Sequence, residues 1–225
     1  IDNYSGNVNS WKEFGLWIKK MNDDQSEFSD DAKNEILAQI DGISNRNEII
    51  TQLYTYLQNK TRYVNISIGI GGWQPLSPQL VHDKSYGDCK ALTHYMKTIL
   101  DIAGIKSYYT IIRAGSNSMP IITNFPSNQF NHAILCVPID GDTTWLECTN
   151  PYTPPGYVST FIDDRDALLI NDSGGQLVHT SSGKADYHVK KNTNIVEITK
   201  DLNGIIQTEQ SYCGFFYDKN QMLLH

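Results

Sequence analysis

Basic clusters, long apolar runs and paired cysteines are all scarce in this sequence. Eighteen Lys and Arg stand against 25 Asp and Glu, a net charge of −7, and no group of cations is present to neutralise a nucleic-acid backbone. No apolar stretch approaches the roughly 20 residues that a membrane-spanning helix needs. No signal peptide is visible. The chain starts at Ile1 without a methionine, so an upstream segment is expected to have been removed, and the compartment is not decided. There are four cysteines, at 89, 136, 148 and 213, with no C-x-x-C pair, which argues against a structural zinc site. Cys136 and Cys148 lie in apolar, strand-like runs and read as core residues, with a disulfide between them left open. The glycine-rich loop at 69–75 lacks the Gly-Lys-Ser/Thr ending of a phosphate-binding loop, so a nucleotide cofactor finds no support.

What is present fits a folded globular chain: 225 residues, 40% hydrophobic and 11% aromatic, enough for one filled core with an appended unit or for two small domains. The first sixty residues read as helical. Trp11, Phe14, Trp17 and Ile18 make an apolar face over residues 10–20, Ser29 is placed to cap a second helix, and Ile49, Ile50, Leu53, Tyr54 and Leu57 form the inner face of a third over 47–58. Alternation over 63–68 predicts a strand, and 106–113 predicts another. A polar loop follows from 114 to about 129. The apolar runs 131–138 and 143–149, joined through Asp140-Gly141-Asp142, predict an antiparallel hairpin.

Chemistry concentrates in three places. Cys89 follows the turn-rich Tyr86-Gly87-Asp88 and precedes a helical pattern of Ala91, Leu92, Tyr95, Met96, Ile99, Leu100 and Ala103, which sets it in a first helical turn. The partial positive charge there favours a thiolate, the nucleophilic form of cysteine. His132 opens one arm of the predicted hairpin and Glu147 closes the other, so counting from the turn sets them roughly opposite. A thiol, an imidazole and a carboxylate in this arrangement are what nucleophilic acyl transfer requires: the ring moves the proton and the carboxylate orients the ring. Asn150 is a second candidate for the orienting group. For the oxyanion, the backbone N–H of Cys89 is the first donor, with Gln74 or the Trp73 indole as side-chain candidates. Metal binding by Cys89 with His82 or His94 lacks a convincing ligand set.

Tyr-Gly-Asp-Cys-Lys-Ala at 86–91, Phe-Asn-His-Ala-Ile at 130–134 and Trp-Leu-Glu-Cys-Thr-Asn-Pro at 145–151 resemble the three motifs of the transglutaminase-like superfamily. That superfamily shares its cysteine-protease core with papain-like enzymes. Thr61-Arg62-Tyr63-Val64 and Gly-Gly-Trp-Gln-Pro at 71–75 are similar to its bacterial branch, and the resemblance covers about residues 45–160. It implies Cys89 as nucleophile, His132 as general base and acid, and Glu147 as orienting acid. Many members carry Asp where this chain has Glu147, one methylene longer. Bacterial relatives are often exported, which implies a periplasmic or secreted location.

The fold expected is α+β: a papain-like, transglutaminase-like core of helices on an antiparallel sheet over 1–175, followed by a β-rich segment over 176–225. Gly174-Gly175 reads as the break between them and Asn203-Gly204 as a hairpin turn in the second. That β unit runs to Leu223-Leu224-His225 with no obvious ending, as in a fragment of a longer chain. His179 and His188 read as surface or structural residues. The function expected is a thiol hydrolase or acyltransferase acting on amide bonds of a peptide or protein substrate, hydrolysis slightly favoured, with no cofactor or metal. The alternative is an inactive binding module of a larger envelope protein. Oligomeric state is not legible.

Overall fold

The computed structural model describes residues 6–183, 185–201 and 203–224; Ile1 and His225, the chain ends noted above, lie outside them. Three helices open the chain, each started by a side chain that accepts a hydrogen bond from a free N–H of the first turn. Ser10 caps α1 (Trp11–Asp23), Ser29 caps α2 (Asp30–Ala38) and Asn45 caps α3 (Arg46–Lys60). The strand expected over 63–68 is only β1 (Arg62–Tyr63), because its parallel partner β2 (Tyr86–Gly87) offers two residues to pair with. The chain then makes a short 3₁₀ turn at Gly69–Gly72. A helix that periodicity does not reveal, α4 (Pro78–Lys84), has a local signal all the same: Ser77 caps it, and Pro78 occupies the first turn, where no N–H is needed.

After α5 (Cys89–Ile102) come β3 (Tyr108–Ile112), β4 (His132–Ile139), β5 (Asp142–Leu146), β6 (Asp166–Asn171) and β7 (Gly174–His179). They form one sheet in the order β5-β4-β3-β6-β7, with every neighbouring pair antiparallel. The β4–β5 reversal is a two-residue turn: Ile139 pairs with Asp142, and Asp140 and Gly141 take φ of 50° and 85°. The two sheet faces bury different cores. On one, Leu135, Val137, Leu146 and Cys148 meet α5, while Tyr109, Ile111, Ala133 and Leu168 meet Phe14 and Ile18 of α1. On the other, Ile134, Cys136, Trp145 and Leu169 pack with Ile112 and Ile162. Cys136 and Cys148 are therefore buried on opposite faces of the sheet, which rules out the disulfide left open above; all four cysteines are free.

Gly174-Gly175 does not break the chain. It opens β7, and Gly174 reverses the backbone at φ 114°. Both glycines let α1 lie directly on the strand: a Cβ at Gly15 would stand 2.0 Å from Gly175 N, and one at Gly175 would stand 2.2 Å from Trp11 O. Residues 176–179, expected in the second unit, thus belong to the main sheet. The chain divides into compact units at Ile1–Ser181 and Ser182–His225. Within the second, β8 (Lys190–Ile198) and β9 (Gly204–Tyr212) form an antiparallel hairpin whose loop closes with Thr199 N–H donating to Asn203 O at 2.8 Å, followed by α6 (Phe215–Leu224). No helix among the described residues is long and apolar enough to cross a membrane.

The glycine contact makes a direct prediction. Gly15→Ala or Gly175→Ala forces backbone apart and lowers stability by about 2 kcal/mol or more, whereas Gly72→Ala, with nothing within 4 Å of the added carbon, stays within about 0.5 kcal/mol of wild type. Urea unfolding midpoints at constant slope measure both.

Candidate active site

Cys89 is the first residue of α5. Asp88 precedes it as cap, its Oδ1 accepting from Ala91 N at 3.0 Å, and its Oδ2 is paired with Lys90. Gly87 keeps the approach narrow: a Cβ there would meet the Ala91 side chain at 2.8 Å. One turn into α5, Thr93 Oγ1 donates to the carbonyl of Ala133 at 3.1 Å, which fixes the helix against β4 next to His132. Cys89, partly buried, lies close enough to the His132 ring to favour its charged form.

His132 and Glu147 meet, but not as a directly opposed pair. The β4–β5 register pairs Leu135 with Leu146, so extending it sets Thr149 across from His132 and makes Glu147 a diagonal neighbour on the same face. The longer Glu side chain covers that diagonal. His132 Nε2 donates to Glu147 Oε2 at 2.7 Å, and the other carboxylate oxygen accepts from Thr149 N at 2.9 Å and Thr149 Oγ1 at 2.6 Å. Glu147 lies just past the end of β5, where its backbone carbonyl accepts from Tyr54 Oη at 2.5 Å. With Nε2 taken by the carboxylate, Nδ1 is the ring atom left for the sulfur.

Both members of this pair are nearly removed from water, their side chains 8% and 4% exposed. Burial works against the charged imidazole, but the Glu147 charge, the nearby Cys89 and the hydrogen bond to Glu147 outweigh it and raise His132 to about 10. Burial likewise opposes a charged Glu147, and the His132 charge with the two Thr149 hydrogen bonds overrides it, so the carboxyl is held below its ordinary value. The pair is therefore charged at neutral pH.

Sulfur and ring stand in the wall of a cleft of about 250 Å³, whose apolar sides come from Ile18, Trp73 and Phe130. Of the two oxyanion candidates, Trp73 lines this cleft and packs edge-on against Trp17 at 4.9 Å between ring centres. Gln74 does not line it; its Nε2 lies 3.5 Å from the carbonyl of Met21. Asn150 is turned to another task, its Oδ1 accepting from Tyr152 N at 2.9 Å, so the group on the His132 ring is Glu147. His82 and His94 do not reach Cys89: His82 Nδ1 is 2.9 Å from Tyr95 Oη, and His94 Nε2 is 3.1 Å from Gln25 O. Among the described residues no three His, Cys, Asp or Glu side chains group as for a metal ion.

Sequence reading left several supporting residues unassigned. Thr149 sits inside the quoted Glu-Cys-Thr motif, and its hydroxyl and N–H become informative only once the carboxylate is seen between them. Asn131, next to His132, ties the two ends of the polar loop together: its Oδ1 accepts from Ala114 N at 2.7 Å and its Nδ2 donates to Ala114 O at 3.0 Å. Phe161 covers the His132 ring edge-on at 5.2 Å, a contact with no signal in the chain.

The electrostatics can be read directly. In ¹⁵N NMR the His132 ring stays protonated through pH 8 and titrates near 10. Glu147→Gln removes the negative charge that favours the imidazolium while leaving burial in place, so the titration drops by about two pH units or more. A ring already neutral at pH 8 in the wild type contradicts the arrangement.

No protein-family model matches the chain, and no curated protein matches it. Among solved structures, one similar protein is from Parabacteroides distasonis ATCC 8503, provisionally named a protease: 13% identical, TM-score 0.57, covering 83% of this chain and 37% of the other. Another is from Cytophaga hutchinsonii, provisionally named a cysteine protease: 14% identical, TM-score 0.43, covering 85% of this chain and 55% of the other. The chain thus spans well under two thirds of either neighbour's length. The first likeness is one of fold, helices packed on an antiparallel sheet, as expected from the sequence.

Proposed function

We propose that this chain is a thiol hydrolase of amide bonds that works through an acyl-enzyme on Cys89. The observation that carries the reading is the His132 ring, bonded to the Glu147 carboxylate at 2.7 Å and sharing one cleft wall with Cys89. Glu147 and Thr149 fix the ring's orientation, so its second nitrogen is aimed before substrate arrives.

The steps follow from these positions. Cys89, as thiolate, attacks the amide carbon. The oxygen gains negative charge opposite the Cys89 N–H, which at the first helical position has no intrahelical acceptor, and within reach of the cleft wall that Trp73 forms. The His132 imidazolium gives its proton to the leaving nitrogen, the C–N bond breaks, and an amine departs from a thioester on Cys89. The now neutral ring takes a proton from water as the water attacks, and a carboxylic acid leaves with the thiolate restored. A primary amine in place of water gives a cross-linked amide by the same steps. The name of the Parabacteroides protein supports peptide substrates and hydrolysis. An inactive scaffold is the second reading, and the partly exposed Cys89 in the wall of an open cleft speaks against it.

A panel of peptide and glutamine amides, run with and without a primary amine beside Cys89→Ala, tests the proposal. Wild type turns over at least one member; Cys89→Ala loses about 10³-fold or more, and Glu147→Gln about 10²- to 10⁴-fold. Product incorporating the amine identifies a transferase. At pH 6, iodoacetamide alkylates Cys89 about tenfold more slowly in His132→Ala than in wild type. No turnover together with an unreactive Cys89 returns the protein to the scaffold class.

A further inference from the structure

Every residue of β8, Lys190–Ile198, is exposed, Ile195, Val196 and Ile198 among them. The strand has β9 on one side only, so along its outer edge the backbone N–H and C=O groups have no ladder partner among the described residues. Such an edge is a template for another strand, and a two-stranded hairpin is marginal in water unless something adds to it. The side chains of β8 define what adds.

Lysine on an edge strand ordinarily turns other strands away. Here Lys191 is matched by Glu197, and the two lie equally far from Asn194 at the middle of the strand. Neither makes an ion pair among the described residues, whereas Lys190 lies over the Tyr212 ring at 5.4 Å. When two copies of β8 run antiparallel about a twofold axis through Asn194, the whole strand pairs, and Lys191 of each copy stands opposite Glu197 of the other. Moving the axis to Thr193 or Ile195 sets Lys191 against Ile195 or Thr199 instead, so a single register satisfies both charges. That register also brings Ile195 of the two copies diagonally together at the axis, on the face that carries the charge pairs, which gives an apolar centre between charged ends. The β9 edge has no such match, since Gly204–Tyr212 contains Glu209 and no cation.

We propose that β8 is a self-pairing edge, through which a second copy of this chain adds to form a four-stranded sheet in the order β9-β8-β8-β9. The interface is isologous, each copy giving and receiving the same contacts. It does not rest on the thiol chemistry proposed above.

Sedimentation velocity of the intact chain across a concentration series tests it, with hydrogen exchange to locate the contact. Wild type passes reversibly from monomer to dimer, and the β8 amides gain protection as it does. Lys191→Glu sets carboxylates opposite each other at both ends of the interface, and Glu197→Lys sets ammonium groups there, so each raises the dissociation constant about tenfold or more. Mixed in equal amounts, the two single variants pair with each other about as well as wild type does, because each supplies the charge the other lacks. The double variant, Lys191→Glu with Glu197→Lys, also restores the dimer. Both positions are exposed, so the circular dichroism of every variant matches wild type. The proposal is overturned by a monomer at every concentration, by a dimer that the single variants leave unchanged, by a mixture that fails to recover, or by β8 protection already complete in the monomer, the sign of a different strand on this edge.

Discussion

The buried ion pair of His132 and Glu147 is the constraint around which the site is organised. Two charges removed from water are expensive unless their remaining hydrogen-bonding capacity is met. Here the carboxylate's is met: one oxygen takes the ring at 2.7 Å and the other takes two donors from Thr149, while Cys89 stands with the ring in one cleft wall. Such a pair tolerates little displacement, so the elements that carry it must be held rigidly. Tyr54 of α3 holds the Glu147 backbone, Thr93 of α5 holds the strand beside His132, and Asn131 closes the loop that leads into it.

That rigidity comes from the packing of the sheet. The α5 helix lies on the face of β4 and β5 that carries Leu135, Val137 and Leu146, so Cys89 at its N-terminus and His132 at the start of β4 are set by one interface. At the other edge of the sheet, α1 reaches β7 through glycine on both sides, close enough for backbone to meet backbone. This brings the aromatic face of α1 toward the cleft, where Phe14 and Trp17 back Trp73. Trp11 Nε1 also donates to Thr123 O at 2.6 Å, which pins the polar loop to α1.

Most helices were legible because their signals are local. Ser29 caps where expected, α1 starts where its apolar face was read to begin, and the α5 pattern begins at Cys89. The hairpin at Asp140-Gly141 was legible for the same reason, since φ above zero at both positions is written in the residue types. The strand after Tyr63 was misread because a strand exists only where a partner extends alongside it, and β2 is two residues long. Gly174-Gly175 was misread because glycine serves two ends: it permits a break, and it permits another backbone to come near. Which one applies depends on α1, far away in the chain.

The site divides along the same line. Residue types and their local settings, a thiol opening a helix and a histidine and a glutamate flanking a turn, are properties of short stretches and were readable there, as was the class of architecture. Three things were not: the diagonal contact that a longer carboxylate spans, the choice of Trp73 over Gln74 in the cleft wall, and the placement of Cys136 and Cys148 on opposite faces. Each depends on strand register and helix docking, which are set by the packing of residues remote from one another, and a linear pattern carries no measure of that distance.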